Sequence, residues 1–259
     1  MFNRKSLIAA AIVAGSIGFA SAASAQSIVA LVGNNTLTVV DFKTRKATST
    51  VQVKGVQLLG IDVRPADGML YGVTTDGQIG TLDPKTGVFT KKADLSEKLK
   101  AGVTATIDFN PAADRLRVMG SDGTSHRVNV DDGKVTVDGS HKYADADANK
   151  GKTPRVIAGA YSNSIKGTKE TALYNIDAAN GTLVRQAPPN DGVLNTIGAL
   201  GIKLNGPVAF DIQAAGEGDN NAWLLNGGTL YKVDLKTGKA TPVGPLAIKG
   251  QVNDIAYMN

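Results

Sequence analysis

Aspartate is the residue whose spacing in this chain could do chemistry. Asp62 sits in Ile61-Asp62-Val63, Asp108 in Ile107-Asp108-Phe109, Asp211 in Phe210-Asp211-Ile212 and Asp254 in Asn253-Asp254-Ile255. Each falls at the same point of a short apolar segment. Asp145, within Tyr143-Ala144-Asp145-Ala146-Asp147, can be aligned as a fifth. If these segments line one channel, the carboxylates form an acidic ring able to hold a cation, and calcium suits an all-oxygen ligand set. Crowded like charges would lift some of their pKa values unless a metal neutralised them. The other reading is architectural. Each aspartate accepts backbone N–H bonds from its own or the next unit, and the lock recurs because the unit recurs.

A second oxygen-rich stretch is Asp145-Ala146-Asp147-Ala148-Asn149-Lys150-Gly151. Its alternating oxygen side chains resemble the start of a calcium loop, but the glycine comes one residue late and Val156 stands where a bidentate Glu belongs. Other chemistries lack their residues. The chain has two histidines, His126 and His141, so a three-histidine zinc site is excluded. It has no cysteine, no G-x-S-x-G elbow and no G-x-x-x-x-G-K-[ST] phosphate loop. Trp223 and Tyr231 read as core rather than as a stacking platform.

The elements that must position the aspartates come from a strand-turn-strand unit recurring about every 45 residues. Short apolar-alternating runs end at Asp-Gly, Asn-Gly or Thr-Gly, which supply the positive φ of tight hairpins. Four strands, A to D from the inside out, can be cut from each unit. The second unit reads Leu59–Val63, Leu70–Thr74, Gln78–Asp83 and Val88–Ala93. The third reads Thr106–Phe109, Arg115–Met119, Ser125–Val130 and Lys134–Val137. The fourth reads Lys142–Asp145, Arg155–Tyr161, Thr171–Ile176 and Thr182–Gln186. The fifth reads Pro207–Ile212, Asn221–Leu225, Thr229–Val233 and Lys239–Val243. Ser27–Val53 supplies only strands B to D and Val252–Tyr257 only a strand A. Pairing the two ends completes a fifth blade and removes free edges. The expected fold is therefore all-β, a five-bladed β-propeller of four-stranded blades, with six blades as the alternative because Gly139–Pro154 and Ala187–Gly206 are long enough to hide strands. Asp94–Ala101 could form one or two helical turns capped by Asp94 or Ser96.

In such a ring the D–A and B–C connections share a face. The segment Ala187–Gly206 reads as a long D–A loop on it, where Asn190, Asp191, Asn195 and Thr196 could bind a ligand or partner. The alternative is that Val193, Leu194, Ile197 and Leu200 plug that face with apolar packing.

Residues 1–25 read as a signal peptide: Arg4 and Lys5, an uncharged run from Leu7 to Ala20, then Ala23-Ser24-Ala25 before Gln26. The run is too short to span a bilayer. The expected product, residues 26–259, is a single exported domain, periplasmic or secreted, without a membrane span and monomeric. Losing Arg4 and Lys5 lowers the formal charge from +5 to +3. Lysines are scattered and aromatics make up 5% of the chain, so the basic, stacking stripe of a nucleic-acid binder is missing.

The stretches IDVRPADGMLYGVTTDG and VDLKTGKAT resemble YVTN-type propellers, the group that includes lactonase-like propellers. YADADANKGKTPRVIAGAYSNS and TALYNIDAANGTLVRQAPPNDGVLNTIGALG more closely resemble an uncharacterised exported bacterial family, domain-of-unknown-function family 4394, across nearly the whole mature chain. The resemblance implies a propeller-like exported domain and brings no catalytic residues. Fold alone assigns no activity. The expectation is a binding or scaffold module for an unknown small molecule or envelope protein on the D–A face. The alternative is a calcium-dependent lactonase-type hydrolase with Asp62, Asp108, Asp211 and Asp254 as ligands and bound water as nucleophile.

Overall fold

The computed structural model describes residues 26–258; the segment read as a signal peptide lies outside them. The 21 strands among the described residues belong to five sheets arranged as a five-bladed propeller. Blade 1 takes β1 (Ser27–Val32), β2 (Thr36–Asp41) and β3 (Lys46–Gln52). Blade 2 is β4 (Leu58–Val63), β5 (Leu70–Thr74), β6 (Gln78–Leu82) and β7 (Phe89–Asp94). Blade 3 is β8 (Ala105–Asn110), β9 (Arg115–Gly120), β10 (Ser125–Val128) and β11 (Val135–Val137). Blade 4 holds β12 (Lys142–Tyr143), β13 (Val156–Tyr161), β14 (Leu173–Asp177), β15 (Thr182–Gln186) and β16 (Val193–Ala199). Blade 5 is β17 (Val208–Gly216), β18 (Asp219–Asn226), β19 (Thr229–Val233) and β20 (Ala240–Pro245). The last strand, β21 (Val252–Met258), returns to blade 1 and pairs antiparallel with β1, Ser27 opposite Met258.

Strands β4, β8, β13, β17 and β21 touch one another in that cyclic order and so surround the channel. The core lies between blades rather than within one. Tyr71, Val73 and Ile79 of blade 2 pack on Ile107, Phe109 and Val118 of blade 3. Ala158 and Ile176 of blade 4 pack on Phe210 and Leu224 of blade 5. Trp223 closes the seam to blade 1, edge-on to Phe42 at 4.8 Å between ring centroids. The outer strands lose this apolar contact: β3 is exposed along nearly its whole length.

Two expectations change. The strands read as B, C and D of blade 4 are its A, B and C. The true D strand, β16, lies inside the segment read as a loop, and β12 adds a short parallel edge outside it. The tripeptide Tyr143-Ala144-Asp145 imitated a strand A, whereas β13 carries Ala158-Gly159-Ala160 at its centre and no aspartate. The proposed helix at Asp94–Ala101 does not form. Leu95 is drawn into the core of blades 2 and 3, Ser96 N–H donates to Gly133 O, and Ser96 Oγ accepts from Val135 N–H, so the chain leaves β7 extended.

Candidate functional site

The inner strands bring Asp62, Asp108, Asp211 and Asp254 together, and each carboxylate bridges to the next blade. Asp254 accepts from Ile61 N–H of blade 2 at 2.9 Å, Asp62 from Phe109 N–H of blade 3 at 2.6 Å, Asp108 from Tyr161 N–H of blade 4 at 2.8 Å, and Asp211 from Tyr257 N–H of blade 1 at 2.6 Å. Asp62, Asp211 and Asp254 spend their other oxygen on the amide of the following residue. Seven of eight carboxylate oxygens therefore accept a backbone N–H; Oδ2 of Asp108 accepts none. The register demands Gly60: a Cβ there would stand 2.7 Å from Asp254 Oδ2.

Tyr161 is to Asp108 what Phe109 is to Asp62, so Ala160 occupies the fifth aspartate's place. The seam from blade 4 to blade 5 is tied instead at the rim. Asn163, at φ 55°, donates its backbone N–H to Asn220 Oδ1 at 2.7 Å and accepts from Gly218 N–H and Asn220 Nδ2.

Donor atoms of Asp62, Asp108 and Asp211 lie within 4.8 Å of one another, and all three residues are buried. Burial, then the charge of Asp211, pushes the Asp62 carboxyl well above the usual carboxylate range. Burial, then Asp62, does the same to Asp108. Burial lifts Asp211 to about 6 against its two amide bonds, and burial also raises Asp254 strongly. Such a cluster can hold shared protons or a cation. Beyond it, at the A–B end of the channel, Ser164 and Lys166 border a cavity of about 220 Å³ that reaches Asp62 and Asp211.

The opposite, D–A end opens into a larger cavity of about 740 Å³. Its walls are the starts of the inner strands, including Leu58, Ala105, Ile157 and Val208, together with the connection from β7 to β8. That connection contributes Lys98, Leu99, Lys100 and Val103, and Arg155 leads into β13. Lys98, Leu99 and Lys100 escaped the sequence reading because Asp94–Ala101 looked helical, and Arg155 because it was read as the start of a strand B. The usable signal was the length of chain between Asp94 and Ala105, which exceeds a hairpin turn.

The remaining candidates fall elsewhere. Asp145 is not on an inner strand but follows β12 at the outer edge of blade 4, exposed and paired with Lys150 at 2.9 Å. Asp147 in the same loop accepts from Asn149 N–H, Thr196 N–H and Thr196 Oγ1. Two candidate regions thus meet, and they tie the loop to β16. Asn190 and Asp191 lie in the C–D turn of blade 4, on the face opposite the D–A connections, and Asn190 accepts from Arg117 Nη2 at 2.9 Å. Asn195 and Thr196 sit on β16, where Asn195 Nδ2 donates to Ala187 O. Leu194 and Leu200 are fully buried, so apolar packing is what this segment provides.

Ring, seams and channel define a five-bladed β-propeller with two unlike mouths. Residues 36–256 match the model of the family described as "Domain of unknown function (DUF4394)", and the chain belongs to that family. No curated protein matches it. Among solved structures it is similar to a protein of unknown function from Bacteroides thetaiotaomicron, at 17% identity and a TM-score of 0.52, over 88% of this chain and 63% of that one. A chain in a nidogen/laminin complex also has a TM-score of 0.52, at 10% identity, over 90% of this chain and 98% of its own. A protein of unknown function from Bacteroides caccae is 13% identical, covering 91% and 100%, with a TM-score of 0.46. These likenesses concern the fold. No helix among the described residues is long and apolar enough to cross a membrane.

Proposed function

We propose that this propeller is an exported binding module whose ligand occupies the channel mouth on the D–A face. The observation that carries the reading is the cavity of about 740 Å³ there, within the range of roughly 300–1,000 Å³ common for small-molecule sites. Strand starts give it a rigid apolar wall and connecting loops give it a polar rim, the usual division of labour between scaffold and recognition. The aspartates are less available, since seven of their eight oxygens already accept backbone amides. The N-terminal pattern of basic residues, apolar run and Ala-Ser-Ala supports export.

A thermal-shift screen of small metabolites tests the reading. A ligand at about 100 times its Kd should stabilise the protein by about 2.7 kcal/mol. Ala101→Trp, placed on the exposed connection that lines the mouth, should abolish the shift while the unliganded Tm stays close to the parent value. Shifts that survive this substitution would place the ligand elsewhere and overturn the reading.

A further inference from the structure

The D–A mouth sorts its charges by sign. Among the described residues that line it there is no aspartate or glutamate, while Lys98, Lys100 and Arg155 all border it. The Arg155 guanidinium makes no hydrogen bond or ion pair with the described residues; its backbone N–H donates to Asp177 and its carbonyl accepts from Ala178 N–H. Lys100 has a distant partner, Asp122 at 4.0 Å. Lys98 is exposed, and its stem lies across the B–C hairpin of blade 2, with Cγ and Cδ 2.6 Å from where a Cβ on Gly77 would stand. Gly77, at φ 77°, is required by the turn.

Below this cationic rim the wall is apolar. Leu59, Leu99, Ile157 and Leu204 are only half buried although they pack against the inter-blade cores. Half-exposed apolar side chains gathered in one concave site mark a surface that gains by being covered. Deeper still, the sign reverses. Asp211 follows Val208 by three residues along β17, roughly 10 Å at the rise of a strand. An anionic head would be disfavoured among the acidic groups at that depth and attracted at the rim, whereas an apolar tail is indifferent to the charge and favoured by the wall.

We infer that the D–A mouth takes a soluble organic anion with an apolar body, its head at Lys98, Lys100 and Arg155 and its tail along Leu59, Ile157 and Leu204. This rests on the binding-module reading and adds the ligand's class and orientation. Dodecyl-type surfactants would blur binding with unfolding, so the probe is a shorter matched set: decanoate, decyltrimethylammonium and decyl maltoside, each below its micellar concentration, titrated calorimetrically into the purified protein. Decanoate should bind at least about tenfold more tightly than the cation, a preference that weakens as salt rises above about 0.15 M because the rim is open to solvent. Arg155→Glu and, separately, Lys98→Glu should each weaken decanoate by about tenfold, a charge reversal at a partly screened rim, and narrow its advantage over the cation. Leu99→Asp should weaken all three tails. The Tm of each variant shows that the fold is kept.

Equal binding of the three heads, untouched by Arg155→Glu, would overturn the anion inference and leave an apolar ligand site standing. Sedimentation with phosphatidylglycerol vesicles but no binding of monomeric decanoate would also overturn it, assigning the rim to a membrane surface. If no tail binds while library compounds still shift the Tm through the Ala101-sensitive mouth, the ligand class is wrong and the site is not.

Discussion

Four seams of this ring are fastened at their centre and one at its edge. Between blades 1–2, 2–3, 3–4 and 5–1, a buried aspartate crosses the channel wall to a backbone amide. Between blades 4 and 5, Ala160 packs in the apolar core they share and the Asn163–Asn220 pair holds the rim. The central fastening joins strands that are already desolvated, where an unanswered amide is expensive; the rim fastening works in a partly wet site, where water can replace a lost partner. The difference also spares the channel a fifth carboxylate among four whose ionisation is already resisted by burial. Asp108, whose Oδ2 accepts no amide, marks where the carboxylate group is least saturated.

The contrast can be broken at several strengths. The largest effect belongs to Asp62→Ala, which strands the buried amide of Phe109 and the part-buried amide of Val63. At about 1–3 kcal/mol for each unanswered buried donor, a loss of about 4 kcal/mol is expected in denaturant unfolding. A loss below about 1 kcal/mol would mean the seam is held by packing alone.

Proton linkage comes next. Asp211 keeps its proton in the fold to about pH 6 but loses it near 3.8 when unfolded. Between those values the folded state binds more protons, so stability falls as pH rises through the window. Relative to Asp211→Asn, the parent should lose about 2 kcal/mol from pH 4 to pH 7, following about 1.4 kcal/mol per pKa unit. A pH-independent difference would refute this.

Gly60→Ala sets a Cβ against Asp254 Oδ2 and should destabilise by about 2 kcal/mol through overpacking, with amide exchange at Ile61 rising ahead of exchange at Phe109. Asn163→Gly keeps the positive φ and the backbone N–H bond to Asn220 Oδ1 but removes the side-chain bonds from Gly218 N–H and Asn220 Nδ2. A loss of about 1 kcal/mol is expected because backbone strain does not contribute. The smallest effect separates protons from metal. With the oxygens committed to amides, millimolar calcium and then a chelator should leave the Tm unchanged, whereas an occupied site at about 100 Kd would add about 2.7 kcal/mol. Such a rise would return the aspartates to metal-ion duty and reopen the calcium-dependent reading.

Much of this was legible in the residues because the repeat is punctuated by the same turn chemistry. Asp83 and Asp234 each accept from amides two and three residues ahead in their C–D hairpins, and that is what makes DPKTG and DLKTG recognisable. The Ile-Asp and Phe-Asp pattern likewise reported strand A, and the lock between units was one of its two readings. Blade 4 was misread because it departs on both counts. Its inner strand has lost the aspartate, and its outer strand, with Asn195, Thr196 and Gly198, reads like loop chemistry. The D–A cavity was invisible since it arises where five strand starts converge, a property of ring closure that no local window contains. What the sequence did supply there was Lys98, Lys100 and Arg155 as unassigned charges.

The pairing of Ser27 with Met258 also sets the order in which the blades can be completed. Blade 2 can assemble as soon as Leu58–Asp94 has emerged, but blade 1 must wait for nearly the entire chain. Until Val252–Met258 arrives, β1 presents Ile28, Val29, Ala30 and Leu31, all buried in the finished ring, beside an uncapped row of amides and carbonyls. An edge of that kind recruits other strands, including those of neighbouring nascent copies. Contacts between residues so distant in sequence form slowly. The time that β1 spends without its partner is therefore the interval in which the chain is most open to pairing with the wrong strand.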